Sequence, residues 1–259
     1  MATILSVQDV SVHYGGVKAV DGVSLEIEQG LLVGLVGPNG SGKSTLLGAL
    51  SRLTALTGGR LVFDGLDYTR LPASRLSGLG LARTFQVVRL LPALTVLENV
   101  MMGLDVKRGN AKISSAWFRP RHARRVDRQV REEALAAIER VGLLSSINED
   151  PTSLPYGAQR RIELARALVS RPRMLLLDEP TAGMTHEERA EIAELLQQVR
   201  ADGVTQILVD HDLDLMADNC DVLYVMNVGR LIAQGRPADV LADPDVQRAY
   251  LGKAGHAHA

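Results

Sequence analysis

The chain has 259 residues, and its 46% hydrophobic content is enough for one large domain, or for a core domain with a smaller inserted one. The formal net charge of −1 gives no bulk attraction for a polyanion, so we expect no nucleic-acid partner. The one cysteine, Cys220, excludes an internal disulfide framework, and we expect it to be a buried small apolar residue in a reducing cytoplasm.

The first third of the chain is predicted to be rich in strands. Residues Ile4–Tyr14 and Val20–Gly30 alternate apolar and polar side chains, which is typical of half-buried antiparallel strands and not of a signal peptide. Leu31–Gly37 is a continuous apolar run, as expected of a strand buried on both faces. Helical spacing follows from Gly42, and Gly59–Gly65 predicts a further strand.

From Ser74 to about Val169 the pattern becomes helical. The segments TVLENVMMGL and RVDRQVREEALAAIERVGLL have apolar residues at i, i+3 and i+4. We interpret the polar stretch DVKRGNAKISSAWFRPRH between them as a loop or insertion. The basic run Arg119–Arg131 is interpreted as a solvated helix face, with a nucleic-acid contact as the alternative.

The last third alternates strands and helices. RMLLLDEP and TQILVDH predict buried strands, and DVLYVMNVGRLIAQG predicts a hairpin. The helix between the two buried strands opens with a capping box formed by Thr185 and Glu188. The apolar runs all fall short of the roughly 18 residues that a membrane-spanning segment needs.

These patterns together predict an α/β fold with a parallel-sheet core, an N-terminal antiparallel β subdomain and an inserted α-helical subdomain. We assign residues 1–87 and 166–240 to the core with its antiparallel subdomain, and residues 88–165 to the helical subdomain. Residues 241–259 are expected to form a C-terminal helix and a frayed tail, whose His256 and His258 are too few for a metal site.

The stretch GPNGSGKST matches the phosphate-loop pattern G-x-x-x-x-G-K-[ST] in full and lies between a buried strand and a helix, which makes the core a P-loop NTPase. Its glycines let backbone N–H groups turn toward a phosphate, and the helix N-terminus adds a positive dipole. We predict that Lys43 reaches the β- and γ-phosphates and that Ser44 binds Mg²⁺. The predicted nucleotide-binding residues here are Gly37, Pro38, Asn39, Gly40, Ser41, Gly42, Lys43, Ser44 and Thr45.

Two acidic residues follow the strand MLLL. Asp178 is delivered to the carboxyl edge of the sheet, where it can hold Mg²⁺ through water. Glu179 is the predicted catalytic base, because phosphoryl transfer to water needs a group that orients and deprotonates the attacking water. Helix capping by Glu179 is the alternative, and Pro180 directly after it argues against a helix start there. With the phosphate loop, this pair predicts an ATPase.

The segment LPYGAQRRIELARAL predicts a helix that opens with an exposed Tyr156-Gly157-Ala158 turn. A helix N-terminus attracts anions, yet the phosphate loop already has a helix of its own. An ordinary solvated helix cap is one hypothesis. The other is that two chains face each other, each placing Gly157 against the γ-phosphate that its partner holds.

In their order and spacing, the phosphate loop, LPYGAQRR, LLLDEP and ILVDHD resemble the ATP-binding-cassette (ABC) ATPases over nearly the whole chain. The resemblance implies that Tyr14 stacks on adenine, although a half-buried strand tyrosine is an equal alternative. It implies that Gln86 contacts Mg²⁺ and the lytic water, and that His211 contacts the γ-phosphate. It also implies that Gly157 is the signature glycine, with Leu154, Tyr156 and Gln159 around it.

Two residues depart from the family pattern. The signature of the family usually begins Leu-Ser-Gly-Gly-Gln, and its serine position is Pro155 or Tyr156, depending on the alignment. With Tyr156 aligned to the first glycine, Pro155 has no hydroxyl to donate to the γ-phosphate. The loop after Glu179 usually ends in Ala-Leu-Asp, whereas Thr185 stands at the aspartate position here. We expect Thr185 to cap the next helix. We also expect communication between the subunits to differ from that of family members with aspartate at this position.

Several features together resemble one subfamily, the ATPases of bacterial branched-chain amino acid importers. They are the Tyr-Gly-x-Gln-Arg-Arg signature, RTFQVVRLLPALTVLENV, the polar insertion and the ending PDVQRAYLG. The resemblance implies ATP and Mg²⁺ as cofactors and a heterodimer with a second ABC ATPase. It also implies two integral-membrane permeases, an amino-acid-binding protein that acts indirectly, and a peripheral location on the cytoplasmic face of the membrane.

Three alternatives share parts of this pattern. An ABC exporter of lipid-linked cargo such as lipopolysaccharide would have the same catalytic residues. A soluble ABC ATPase that acts on ribosomes or DNA is disfavoured by the single cassette and the short helical block. A nucleotide-binding regulator without turnover is disfavoured because Lys43, Asp178 and Glu179 are all present.

Overall fold

The structure is a computed structural model, which describes residues 2–84, 86–108 and 120–251, with the backbone alone at 105–108, 120–127 and 251. The strands are β1 (Thr3–Tyr14), β2 (Val17–Glu28), β3 (Leu32–Val36), β4 (Gly58–Phe63), β5 (Leu66–Asp67), β6 (Leu81–Arg83), β7 (Met174–Asp178), β8 (Thr205–Val209), β9 (Val222–Asn227) and β10 (Arg230–Gly235). The helices are α1 (Lys43–Leu50), α2 (Leu76–Leu79), α3 (Val96–Arg108), α4 (Pro120–Arg140), α5 (Tyr156–Leu168), α6 (His186–Ala201), α7 (Leu213–Asn219), α8 (Pro237–Ala242) and α9 (Pro244–Leu251). Short 3₁₀ turns lie at Ala73–Arg75, Leu144–Ser146 and Pro151–Ser153.

In the described part of the chain the N-terminal strands form an antiparallel sheet of order β2-β1-β4-β5. The alternation predicted for β1 and β2 is present, since most of their apolar residues are buried and most of their polar ones are not. The buried face of this sheet packs in one cluster with α1 and with one face of β3, β7 and β8. The predicted antiparallel subdomain is therefore confirmed.

The central sheet has the order β10-β9-β3-β8-β7-β6. Its strands pair in parallel except at β10, which is antiparallel to β9 and completes the predicted hairpin. Every residue of β3, β7 and β8 is buried, because helices cover one face of the sheet and the antiparallel subdomain covers the other. The prediction of a parallel-sheet α/β core is confirmed, with one antiparallel edge strand added.

Two predictions within the helical block were wrong in part. Leu81–Arg83 forms strand β6, which pairs in parallel with β7, and a run of three residues is too short to show any periodicity. The stretch predicted as a loop is helical at both ends, because α3 continues through Arg108 and α4 begins at Pro120. A proline is compatible with the first turn of a helix, since its missing N–H has no partner there. Residues 109–119 lie outside the described residues.

Helices α3, α4 and α5 pack together around apolar side chains that include Val100, Ile138 and Ile162. Among the described residues, no helix combines the length and the apolar character that crossing a bilayer requires. The predicted domain boundaries stay a prediction, and the boundary after residue 165 falls inside α5. The tail with His256 and His258 lies outside the described residues.

Helices α3 and α5 approach so closely at Gly103 that only glycine fits. A Cβ atom at this position would lie 2.1 Å from the Arg166 carbonyl oxygen, which is backbone and cannot rotate away. We expect Gly103→Ala to lower the free energy of unfolding by about 1–3 kcal/mol, as overpacking of a core does. Urea denaturation of the full chain measures this change.

A matched control is Gly78→Ala in α2, where a Cβ atom would meet nothing within 4 Å. Alanine there is expected to be neutral or to stabilise the chain by up to about 1 kcal/mol, because it is the better helix former. Equal unfolding free energies for the two variants would contradict the close approach at Gly103.

Cys220 is buried, as predicted, and burial is the main cause that raises the pKa of its thiol to about 12. Since the thiolate is the reactive form, we expect the folded chain to react with a thiol reagent at pH 8 at least about 100-fold more slowly than the urea-unfolded chain. The measurement is unambiguous because the sequence contains one cysteine. Rapid labelling of the folded chain would contradict this assignment.

Candidate functional site

The phosphate loop lies between the end of β3 and the start of α1. Gly37 and Gly42 have φ values of +147° and +104°, and a Cβ atom on either would lie within 2.2 Å of a backbone carbonyl oxygen. Both positions therefore require glycine, which brings the loop backbone close to β9 and β2. The N-terminus of α1 has no side-chain cap, so its first N–H groups keep their donor capacity.

Within this loop the Lys43 side chain is buried, and its Nζ donates hydrogen bonds to the carbonyl oxygens of Gly37 (2.6 Å) and Pro38 (3.1 Å). The ammonium group is thereby held over the loop that is predicted to enclose the phosphates. Ser44 is exposed on the first turn of α1. The Ser41 hydroxyl is buried and has no hydrogen-bond partner among the described residues.

Asp178 ends β7 at the carboxyl edge of the sheet, as predicted, and is 3% exposed. Its Oδ2 accepts a hydrogen bond of 2.9 Å from Arg83 at the end of β6, while its buried Oδ1 has no hydrogen-bond partner among the described residues. A buried carboxylate oxygen without a donor is costly unless a cation or water satisfies it. The donor set of Asp178, Ser44 and Gln86 consists of the hard oxygen ligands that Mg²⁺ prefers, so these residues fit that ion.

Glu179 follows at the turn after β7 and has a φ of +47°, an uncommon conformation for a residue with a side chain. Its backbone N–H donates to the Val209 carbonyl oxygen at the end of β8 (2.8 Å). Its Oε2 accepts a hydrogen bond of 3.0 Å from Gln86 Nε2. The structure thus brings together two predicted catalytic side chains that lie 93 residues apart in the sequence.

His211 lies in the turn after β8, and its imidazole is 59% exposed. The turn is fixed by Asp210, which is 1% exposed and accepts hydrogen bonds from the backbone N–H groups of His211 and Asp212. The Thr181 hydroxyl donates to the other carboxylate oxygen of Asp210 (2.6 Å). This bond ties the turn after β8, where His211 lies, to the turn after β7, where Glu179 lies.

At the start of α5 the expectation of an exposed turn was only partly right. Tyr156 is 41% exposed, but Gly157 and Ala158 are buried. A Cβ atom on Gly157 would lie 2.3 Å from the Glu188 carboxylate, since this side chain of α6 lies against the glycine. The sequence could not show this cover, because the two residues are distant along the chain.

The residues around Gly157 are held by local bonds. Gln159 Nε2 donates to the carbonyl oxygens of Leu154 (2.9 Å) and Thr152 (3.4 Å), so its side chain turns back toward its own loop. Pro155 stands at the N-cap of α5 and supplies no side-chain hydrogen bond, which agrees with its missing hydroxyl. The predicted capping box of Thr185 and Glu188 is confirmed at the N-terminus of α6.

Tyr14 ends β1 and is 57% exposed. A ring in this position is free to stack on a planar group, and the adenine contact stays a prediction.

A groove of about 430 Å³ lies along β6. Its walls come from α2, β6, α3 and α5, and include Arg83, Met102, Glu163 and Arg166. The exposed apolar side chains of Leu53 and Met102 lie on it. The sequence analysis assigned no role to Arg83, Thr181 or Arg160, which position the site. Arg83 and Arg160 are part of the quoted motifs, and Thr181 follows one directly, so their place in a motif was the only signal.

The comparisons with known sequences agree with this site. A family model described as "ABC transporter" matches residues 20–182, and one described as "Branched-chain amino acid ATP-binding cassette transporter" matches residues 230–256. The High-affinity branched-chain amino acid transport ATP-binding protein LivG of Escherichia coli is 37% identical over 97% of this chain and 98% of its own. The BraF protein of the same description from Pseudomonas aeruginosa is 36% identical with the same coverage of both chains.

Solved structures agree as well. A nucleotide-free ATP-binding cassette from an ABC transporter superposes with a TM-score of 0.84 and 31% identity, over 96% of this chain and 99% of the other. The dimeric structure of the bacterial ABC transporter cassette MJ0796 superposes with a TM-score of 0.76 and 28% identity, over 90% and 99% of the two chains. With its phosphate loop, paired acidic residues and signature helix, the chain belongs to the ABC transporter family as an ATP-hydrolysing subunit.

Proposed function

We propose that this chain powers the uptake of branched-chain or related hydrophobic amino acids as the ATPase of a bacterial ABC importer. The observation that carries the proposal is the similarity to LivG and BraF over 97% of the chain, together with the branched-chain model matched at residues 230–256. Nothing in the described site is shaped for an amino acid, so the permeases and the binding protein would select the substrate.

Each residue of the site has a proposed task. Glu179, held by Gln86, orients and deprotonates the attacking water, and His211 stabilises the γ-phosphate. Lys43 neutralises the β- and γ-phosphates from within the loop. Ser44, Asp178 and Gln86 are the residues that would hold Mg²⁺, which when bound neutralises charge that develops on the phosphate oxygens.

Two cassettes would close on two ATP molecules, with the phosphate loop of one chain facing the start of α5 of the other. The exposed Tyr156 is the part of the signature that an opposing nucleotide would meet first, since Glu188 covers Gly157. The dimeric cassette MJ0796 is a precedent for such an assembly. By resemblance, the second cassette is a sister ATPase rather than a second copy, and Tyr14 stacks on adenine.

The groove lined by β6, α2, α3 and α5 is the proposed docking surface for a permease. Its apolar walls suit an amphipathic helix. Arg166 in its wall donates to the Arg89 carbonyl oxygen, which connects the groove to the segment that contains Gln86. Through this contact the chain would be held at the cytoplasmic face of the membrane, and closure of the cassettes would move the permease helix.

The test is purification of the tagged chain from its native membrane, followed by reconstitution of the co-purifying subunits into vesicles. ATP-driven accumulation of radiolabelled leucine, dependent on a co-encoded binding protein, is the expected result. Recovery with a lipid-linked exporter complex, or ATP turnover without amino acid uptake, would overturn the substrate assignment and leave the ATPase assignment standing.

A further inference from the structure

Glu163 is a buried carboxylate to which neither the motifs nor the proposed reaction assigns a task. It lies on α5 with 3% exposure, between two arginines of the same helix. Its Oε2 is 3.1 Å from Nη1 of Arg160, and its Oε1 is 3.7 Å from Nη2 of Arg166. Arg160 is equally buried and Arg166 is 21% exposed, so one buried carboxylate pairs with two guanidinium groups that are mostly covered.

Both guanidinium groups also hold the backbone of the segment that follows β6. Arg160 Nη2 donates to the Gln86 carbonyl oxygen, and Arg166 Nη1 donates to the Arg89 carbonyl oxygen (2.6 Å). Within this segment Gln86 and Val87 are exposed, so apolar burial fixes these two residues weakly. The two arginine bonds therefore set where the Gln86 backbone lies.

The remainder of the chain between β6 and α3 is held by a different residue. Asn99 of α3, which is fully buried, accepts a hydrogen bond from the Leu91 N–H and donates to the carbonyl oxygens of Leu91, Leu94 and Thr95. The backbone at Leu91, Leu94 and Thr95 is thus held by Asn99 of α3. The backbone at Gln86 and Arg89 is held by the two arginines of α5.

Electrostatics explains why the arginines need Glu163. Arg160 and Arg166 each lie three positions from Glu163, and their like charges repel each other. Burial adds a desolvation cost that the nearby carboxylate offsets. Burial lowers the pKa of the Arg166 guanidinium, and Glu163 opposes this effect. The rigid fork of arginine can pair with a carboxylate and donate to a carbonyl oxygen at the same time, which a lysine cannot do with the same geometry.

We propose that Glu163 is a positioning residue for ATP hydrolysis: it orients Arg160 and Arg166, which hold the Gln86 backbone so that its side chain reaches Glu179. The inference rests on the proposed ATPase chemistry at Glu179. It assigns Glu163 no contact with nucleotide. Arg160 extends the same network to the signature, since its Nε donates to the Tyr156 hydroxyl (3.1 Å) and its guanidinium lies 5.5 Å from the centre of the Tyr156 ring.

The test is a double-mutant cycle on the ATPase rate of the reconstituted complex. Glu163→Gln is expected to lower kcat by about tenfold, because a small displacement of a catalytic group is costly, while the KM for ATP changes less than about twofold. In a Gln86→Ala background, Glu163→Gln is expected to lower kcat by less than about twofold, because the Gln86 side chain through which Glu163 is proposed to act is then already absent. Equal losses in both backgrounds, or no loss in either, would overturn the proposal.

The matched control is Glu191→Gln, which removes an exposed ion pair between α6 and Arg161 of the same helix α5 (3.2 Å). Its kcat is expected to equal that of the wild type, because exposed pairs contribute little. Should Glu163→Gln not fold, Arg166→Lys keeps the charge and removes the fork, and the same non-additivity with Gln86→Ala is required of it.

A second readout separates this inference from the proposed function. Hydrogen exchange in the full chain is expected to be faster for the peptide containing residues 86–92 in Glu163→Gln than in the wild type, with unchanged exchange in β7 and β8. A wild-type complex without ATPase activity would refute the proposed function. The exchange measurement needs no turnover, so it would still test whether Glu163 positions the Gln86 backbone. Unchanged exchange at 86–92 would refute the positioning alone.

Discussion

Replacement of Glu179 by glutamine is expected to lower the ATPase kcat by about 10²–10⁴-fold, the range that a general base contributes. Glutamine has nearly the same size and keeps an oxygen that can accept the hydrogen bond from Gln86. The change therefore removes the base and leaves the geometry. The rate is measured as phosphate release at saturating ATP.

Binding of ATP provides the control for this variant. Its Kd for ATP is expected to stay close to that of the wild type, because Lys43 and the phosphate loop are untouched. Turnover near the wild-type rate would remove Glu179 from the role of base. A large loss of ATP affinity would instead show that the substitution disturbs the backbone turn at φ +47°.

Replacement of Tyr156 by glutamate is expected to lower ATPase activity by about 100-fold or more. A carboxylate at this exposed position would face the γ-phosphate held by the opposing cassette, and opposed like charges at an interface cost several kcal/mol. The folded chain is expected to tolerate the change, since an acid suits the first turn of a helix. The assay is ATP hydrolysis together with ATP-dependent dimer formation by light scattering.

The matched variant is Tyr156→Phe, which keeps the ring and adds no charge. Its activity is expected to stay within about threefold of the wild type, because it loses one hydrogen bond from Arg160. Unchanged activity in Tyr156→Glu would favour the alternative that the start of α5 is an ordinary solvated helix cap, with no facing cassette.

Features carried by local patterns could be predicted from the sequence. The continuous apolar runs of β3, β7 and β8 identified the buried parallel strands. The phosphate loop and the capping box at Thr185 were equally local, because a few adjacent residues determine their geometry.

Features formed between distant residues could not be predicted. The pairing of Arg83 with Asp178 joins residues 95 apart, and the cover of Gly157 by Glu188 joins two different helices. Strand β6 was missed because its existence depends on pairing with β7 rather than on any pattern of its own. The adenine contact of Tyr14 and the facing cassette depend on molecules outside the chain and stay predictions.

Arg166 links three parts of the helical region through its own backbone and side chain. Its carbonyl oxygen lies against Gly103 of α3, and its side chain donates a hydrogen bond to the Arg89 carbonyl oxygen. Helix α3, helix α5 and the segment that follows β6 therefore all contact this one residue. We therefore expect a rotation of α5 to carry α3 and the backbone around Arg89 with it. We expect the compensating change in backbone torsion outside this unit, and Arg171, which lies between α5 and β7 with a φ of +48°, is the position that we expect to change.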